Sequence, residues 1–318
     1  MTSRRMFALA GLAALGRAQG PIQSRPKPAP PKEQRPDANI RVDTNLVLIP
    51  VSVNDPLNRP VTGLEKEHFK VLDDKVEQTI THFAMDDEPV AVGLVFDISG
   101  SMGPKLQKSR QAAAAFFKTA NPDDEFFLVE FNDQPKMEVP LTRDVEDIQN
   151  HLTFVQSKGR TALLDAIFLS MHEMKKSQKN RKALLIISDG GDNSSRYSEA
   201  EVRNMVREGD VLIYAIGVFE PYGSRARTPE EAGGPGLLTD LCEQTGGRHL
   251  PADANELPDI AAKIGVELRN RYVLGFSPTN QVRDGRYHTL QVKVITPKEL
   301  KLPALRPYFR KGYLAPAQ

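Results

Sequence analysis

Five oxygen-bearing side chains in three separated segments have the right types to share one cation. They are Asp97, Ser99 and Ser101 in the string Asp97-Ile98-Ser99-Gly100-Ser101, then Thr161, then Asp189. A carboxylate and two hydroxyls at alternate positions converge on a point if the turn is tight, and Gly100 permits such a turn. Hard oxygen donors suit Mg²⁺ better than Zn²⁺ or copper. The same string also serves as a helix N-cap with turn hydroxyls, so by itself it does not define a site.

The surrounding sequence says where these residues emerge. Residues 90–96, Val-Ala-Val-Gly-Leu-Val-Phe, form an unbroken apolar run, which predicts a strand buried on both faces of a parallel sheet. Asp97 then leaves at the carboxyl end, the rim where open α/β sheets bind ligands. Residues 183–187 predict a second such strand, and it ends in Ser188-Asp189-Gly190-Gly191-Asp192-Asn193, so Asp189 belongs to the same rim. Gly159-Arg160-Thr161-Ala162-Leu163 opens an amphipathic helix with Leu164, Ile167, Phe168, Met171 and Met174 as its apolar stripe, which places Thr161 at or near the N-cap. Pro104 suits a first helical turn, and residues 105–120 keep Leu106, Ala113, Phe116 and Phe117 on one face.

With the three segments in this order, the chain resembles the von Willebrand factor type A domain over roughly residues 89–270. The resemblance implies a Rossmann-like fold with a metal-ion-dependent adhesion site. The Ser99 and Ser101 hydroxyls would ligate Mg²⁺ directly, with Mn²⁺ or Ca²⁺ as alternatives, and Asp97, Thr161 and Asp189 directly or through water. The remaining position would take an Asp or Glu carboxylate of a protein partner. Arg160 departs from the glycine of many members and puts a cation beside the metal, either to steer an acidic ligand, to pair with Asp192 or simply to face solvent. Through residues 41–47 and 271–276 the whole chain is also similar to exported bacterial proteins with β-rich sequence on both sides of such a domain.

A chain of 318 residues with 40% hydrophobic and 26% charged content allows about two ordinary globular domains. Its net charge of +1 turns slightly negative without Arg4, Arg5 and Arg17, and nothing in it favours nucleic acid. The cluster Lys175, Lys176, Lys179, Arg181 and Lys182 ends a helix, where cations complement the dipole. Ser3-Arg4-Arg5-Met6-Phe7 followed by a short Ala/Gly/Leu stretch reads as a twin-arginine-like export signal over residues 1–18. It is too short to span a bilayer, and a periplasmic or extracellular, membrane-free mature chain is expected. Residues 19–39 read as a Pro-rich extended tether. Cys242, the single cysteine, sits with Leu238 and Leu241 and reads as a core thiol.

Residues 40–88 predict a strand at 46–53 and a hairpin, 69–72 and 76–83, about Asp73-Asp74-Lys75; residues 271–318 predict strands at 272–276 and 288–294. Neither flank fills a core alone, so the two are expected to form one β-sandwich into which residues 89–270 are inserted. Within the insert, strands at 125–131 and 211–218 alternate with helices marked by Val145, Ile148, Leu152 and Val155, by Val202, Met205 and Val206, by residues 237–244, and by Leu257, Ile260, Ile264 and Leu268. That alternation means a mostly parallel sheet covered on both faces. Residues 219–235 predict a polar, Gly/Pro-broken loop at the rim, with Tyr222, Arg225 and Arg227 as candidate partner contacts. A serine nucleophile would need a positioned base. None of the six histidines falls on a rim turn, and His151 and His172 read as surface or helix-packing residues. A metal-dependent binding module, not an enzyme, is therefore expected; a purely stabilising metal, or a hydrolase, is the alternative.

Overall fold

The computed structural model describes residues 46–218, 229–253, 255–279, 285–296 and 304–315. The export signal, the tether, and Tyr222, Arg225 and Arg227 lie outside them. The chain opens with β1 (Val47–Asn54), β2 (Phe69–Asp73), β3 (Val76–Gln78) and β4 (Ile80–Asp86). The central part runs β5 (Val90–Asp97), a 3₁₀ turn (Gly100–Lys105), α1 (Leu106–Phe117), β6 (Glu125–Phe131), β7 (Pro135–Thr142), α2 (Val145–Phe154), α3 (Leu163–Met174) and β8 (Arg181–Ser188). It continues through α4 (Glu199–Glu208), β9 (Leu212–Val218), α5 (Pro229–Thr245), β10 (His249–Ala252) and α6 (Leu257–Arg269). The chain closes with β11 (Arg271–Phe276), β12 (Tyr287–Val294), β13 (Arg306–Tyr308) and β14 (Gly312–Leu314).

The central sheet has the order β10-β9-β8-β5-β6-β7. All its pairings are parallel except that of β7, which runs antiparallel to β6 at the edge. Every residue of β5 is buried, as its uninterrupted apolar run requires of a strand covered on both faces. One face packs Leu94, Phe96, Leu128 and Leu185 with α1, α2 and α6; the other packs Val95, Val129, Leu184 and Ile186 with α3, α4 and α5. The chain leaves β5 toward β6 on one side and returns to β8 on the other. The order therefore reverses between β5 and β8, which makes their carboxyl ends the topological switch point.

The two flanks build one β-sandwich around this insert. β13-β1-β11-β4 and β14-β12-β2-β3 form its sheets, so each sheet draws strands from both ends of the described chain. β1 pairs antiparallel with β11, Val47 opposite Phe276 and Val51 opposite Tyr272, and β2 pairs with β12, Val71 opposite Val292. Ile49, Val51, Val71, Tyr272, Leu274, Phe276 and Leu290 meet in a single core that neither flank holds alone.

Three local expectations need correction, and one strand is added to them. The second arm of the hairpin does not stay one strand: β3 pairs with β2, while β4 crosses to pair with β11 in the other sheet. Crossing from sheet to sheet lets a short segment serve two half-built layers. Residues 229–235, expected as loop, are the first turns of α5 despite Pro235. Strand β7 has no clear signature along the chain because Pro135 and Pro140 break its pattern; both are tolerated on a strand with one open edge. The helix expected from residue 105 begins at Leu106, with Pro104 inside the preceding 3₁₀ turn.

Candidate metal centre at the sheet rim

Asp97, the last residue of β5, is fully buried. Its Oδ1 accepts the backbone N–H of Ser99 at 2.8 Å and its Oδ2 accepts the hydroxyl of Ser188 at 2.6 Å. The Ser99 and Ser101 hydroxyl oxygens lie 3.1 Å apart, so the tight turn that Gly100 allows brings the alternate hydroxyls together. Asp189 follows β8 on the neighbouring strand and is only 7% exposed. Its Oδ1 is buried without a hydrogen-bond partner, while its Oδ2 accepts the Lys105 ammonium at 3.2 Å. Burial first and the Asp189 charge second push the Asp97 carboxyl up to about 7, against the hydrogen bonds from Ser188 and Ser99.

Thr161 is buried just before Ala162, the N-cap of α3. Its segment is tied to both neighbouring loops by the main chain: Gly100 N–H donates to Gly159 O at 3.0 Å, Lys158 N–H to Ile98 O at 2.8 Å, and Asn193 N–H to Thr161 O at 3.0 Å. Asn193 Oδ1 in turn accepts Thr161 N–H at 3.0 Å. Gly159 has φ +82° and a Cβ there would fall 2.5 Å from Asp133 Oδ2, so the approach of this turn to the β6–β7 connection requires glycine. Arg160 is exposed, and its N–H donates to Asp133 Oδ1 at 2.9 Å. Asp192 does not hold it: Asp192 Oδ2 accepts the Leu164 N–H of the first α3 turn at 2.9 Å and the Ser195 hydroxyl at 2.6 Å.

Two buried carboxylates sit on adjacent strand ends with one ammonium, Lys105, on Asp189, whose Oδ1 stays unsatisfied; two hydroxyls face each other at the same rim. That donor set fits a hard divalent cation. Ser188 and Lys105 were not anticipated. Ser188 is recognisable only as the residue before Asp189, and Lys105 as the cation eight positions after Asp97; the contacts themselves arise because β5 and β8 are neighbours. Cys242 is buried, and burial pushes its thiol well above the usual range, which makes it a core residue.

Residues 92–191 match the family model described as von Willebrand factor type A domain. Among curated proteins, the chain is 26% identical over 157 residues to inter alpha-trypsin inhibitor, heavy chain 4, of Mus musculus, covering 43% of this chain and 17% of that protein. It is 25% identical over 175 residues to an uncharacterised protein of Borreliella burgdorferi, covering 48% of this chain and 51% of that one. It thus spans about half or less of the length of these relatives. The solved structure of a von Willebrand factor type A protein from Catenulispora acidiphila superposes with a TM-score of 0.50 at 12% identity, covering 85% of this chain and 75% of that chain. Sheet order, matched segment and structural likeness agree on the fold: the central part of the chain has the α/β architecture of a von Willebrand factor type A domain.

Proposed function

We propose that the protein is an exported protein-binding module that holds Mg²⁺ at the sheet rim through Asp97, Ser99, Ser101, Thr161 and Asp189. An open coordination position then captures an Asp or Glu side chain of a protein partner. The observation that carries this reading is the buried Asp97 and Asp189 pair with the unpaired Asp189 Oδ1. Two buried carboxylates that share a single ammonium are costly to keep ionised unless a further cation completes the charge. Exposed Arg160 beside the rim would favour an acidic partner, and Tyr222, Arg225 and Arg227 would widen the contact. The Ser99 hydroxyl faces Ser101 rather than an imidazole, which favours binding over nucleophilic catalysis. Among the described residues no helix is long and apolar enough to cross a membrane. Export rests on the Arg4-Arg5 signal.

Lys105 gives a second reading its observation, because an ammonium 3.2 Å from Asp189 already supplies one positive charge. On that reading the rim is a structural ion pair and needs no metal. Calorimetric titration with Mg²⁺ of the wild type, Ser101→Ala and Asp97→Asn decides between them. Binding that weakens at least about tenfold in both variants supports the metal site. No heat of binding in the wild type, or equal affinity in all three, overturns it. Ser101→Ala removes a half-buried hydroxyl and keeps the test valid should Asp97→Asn fail to fold.

A further inference from the structure

On β6, Phe126 and Leu128 point into the core that α1 and α2 cover, and Glu130 continues the same row. A glutamate there is 5% exposed, and burial pushes its carboxyl up to about 7. Its Oε1 is buried and accepts no hydrogen bond. A carboxylate in an apolar row costs stability unless something across from it compensates. Facing it is His151 of α2, beside the buried Ile148 and Leu152, with Nε2 3.5 Å from Glu130 Oε1 and 3.6 Å from Glu138 Oε2.

Glu138 is there because of a bulge. Leu128 pairs with Val139 and Val129 with Met137, so Glu138 is the extra residue of β7 and lacks a ladder partner. A bulge re-aims a side chain, and here it turns Glu138 onto the face that holds Glu130 and His151. One ligand atom from each of the three residues lies within 4.8 Å of the others. Tetrahedral ligands held 2.0–2.2 Å from one ion stand roughly 3.3–3.6 Å apart, which is the spacing His151 keeps from both carboxylates. These separations are too long for good hydrogen bonds and right for a shared ion. The group opens into a cleft of about 630 Å³ between the β6–β7 edge and α2, lined also by Ile98, Phe154 and Lys158.

We propose that Glu130, Glu138 and His151 form a site for a divalent transition metal of the Zn²⁺ class, with its fourth position open to this cleft. One imidazole and two carboxylates are a borderline donor set, unlike the all-oxygen rim, so the site does not depend on the Mg²⁺ reading. Lys136, whose Nζ is 2.8 Å from Glu138 Oε1, gives way on binding; its side chain is 73% exposed and such a pair is weak. Ile98 and Lys158 join the cleft to the rim, since the Ile98 carbonyl accepts the Lys158 N–H at 2.8 Å.

The full chain, saturated with Mg²⁺, is titrated with Zn²⁺ by calorimetry and with Co²⁺ by visible absorption. Wild type, Glu130→Gln, His151→Gln and His288→Gln are compared, the last addressing the other acidic and histidine cluster, Asp73, Asp74 and His288. The site predicts a low-coordinate Co²⁺ spectrum and Zn²⁺ affinity that fall at least about tenfold in Glu130→Gln and in His151→Gln and persist in His288→Gln. Far-UV circular dichroism reports folding, and either of the first two variants suffices if the other unfolds. Absence of Zn²⁺ binding in the wild type, or a loss confined to His288→Gln, overturns the proposal.

Discussion

Asp97 shows how one residue couples the rim to the stability of the whole. Its carboxyl is held at about 7 against an ordinary 3.8 by burial and by the Asp189 charge. Between those values the folded chain binds a proton that the unfolded chain has released, so the stability slope with pH is negative. In chelator, the contribution of Asp97 is fully present below about pH 4, falls as pH rises toward 7 and is level above. Urea midpoints measured from pH 4 to 8 should show this decline. Asp97→Asn should remove it, and saturating Mg²⁺ should flatten it, because a cation favours the ionised form. A wild-type chain whose midpoint rises over that range in chelator would show that other groups dominate.

At the scale of elements, α6 joins the two parts of the fold through one buried acid. Glu267, 2% exposed, accepts Asn54 Nδ2 of β1 at 2.7 Å, the Tyr214 hydroxyl of β9 at 3.0 Å and Arg248 Nη1 at 2.7 Å. Arg248 also stacks over Tyr308 of β13 and reaches Asn58. Removing one member of such a pair leaves a buried charge uncompensated. Arg248→Met should therefore lower unfolding stability by about 3 kcal/mol, read from denaturant melts. A loss under about 0.5 kcal/mol would mean that Asn54 and Tyr214 satisfy Glu267 by themselves. The central strands were legible because fully buried strands are apolar throughout. β7 was not, because an edge strand tolerates prolines that read as breaks.

The whole molecule follows from a core that no short piece can supply. Residues 89–270 contain both faces of the central sheet with their helices, whereas the sandwich needs strands from both flanks. We expect residues 89–270 alone to fold and to keep whatever Mg²⁺ affinity the full chain has, with lower stability because Glu267 loses Asn54 and Arg248 loses Asn58 and Tyr308. The flanks without the insert should not fold separately. Thermal melts of the fragment with and without Mg²⁺ check this, and a non-cooperative melt in both conditions would show that the insert is not an independent domain.

What the sequence by itself determined were the features that local chemistry imposes. Apolar runs announce β5 and β8, a tight turn follows from Gly100, and Asp97 and Asp189 occur where those runs end. Only tertiary structure decided which strand ends meet. Asp97 takes the Ser188 hydroxyl and Asp189 takes Lys105 because β8 inserts beside β5 rather than beyond β7, a choice made by long-range pairing. His151 reads along the chain as an ordinary helix residue. It faces Glu130 and Glu138 because α2 packs over the β6–β7 edge and a bulge turns Glu138 toward it. Periodicity records which face of an element is buried, and it carries no information about which polar residues of other elements that face will meet.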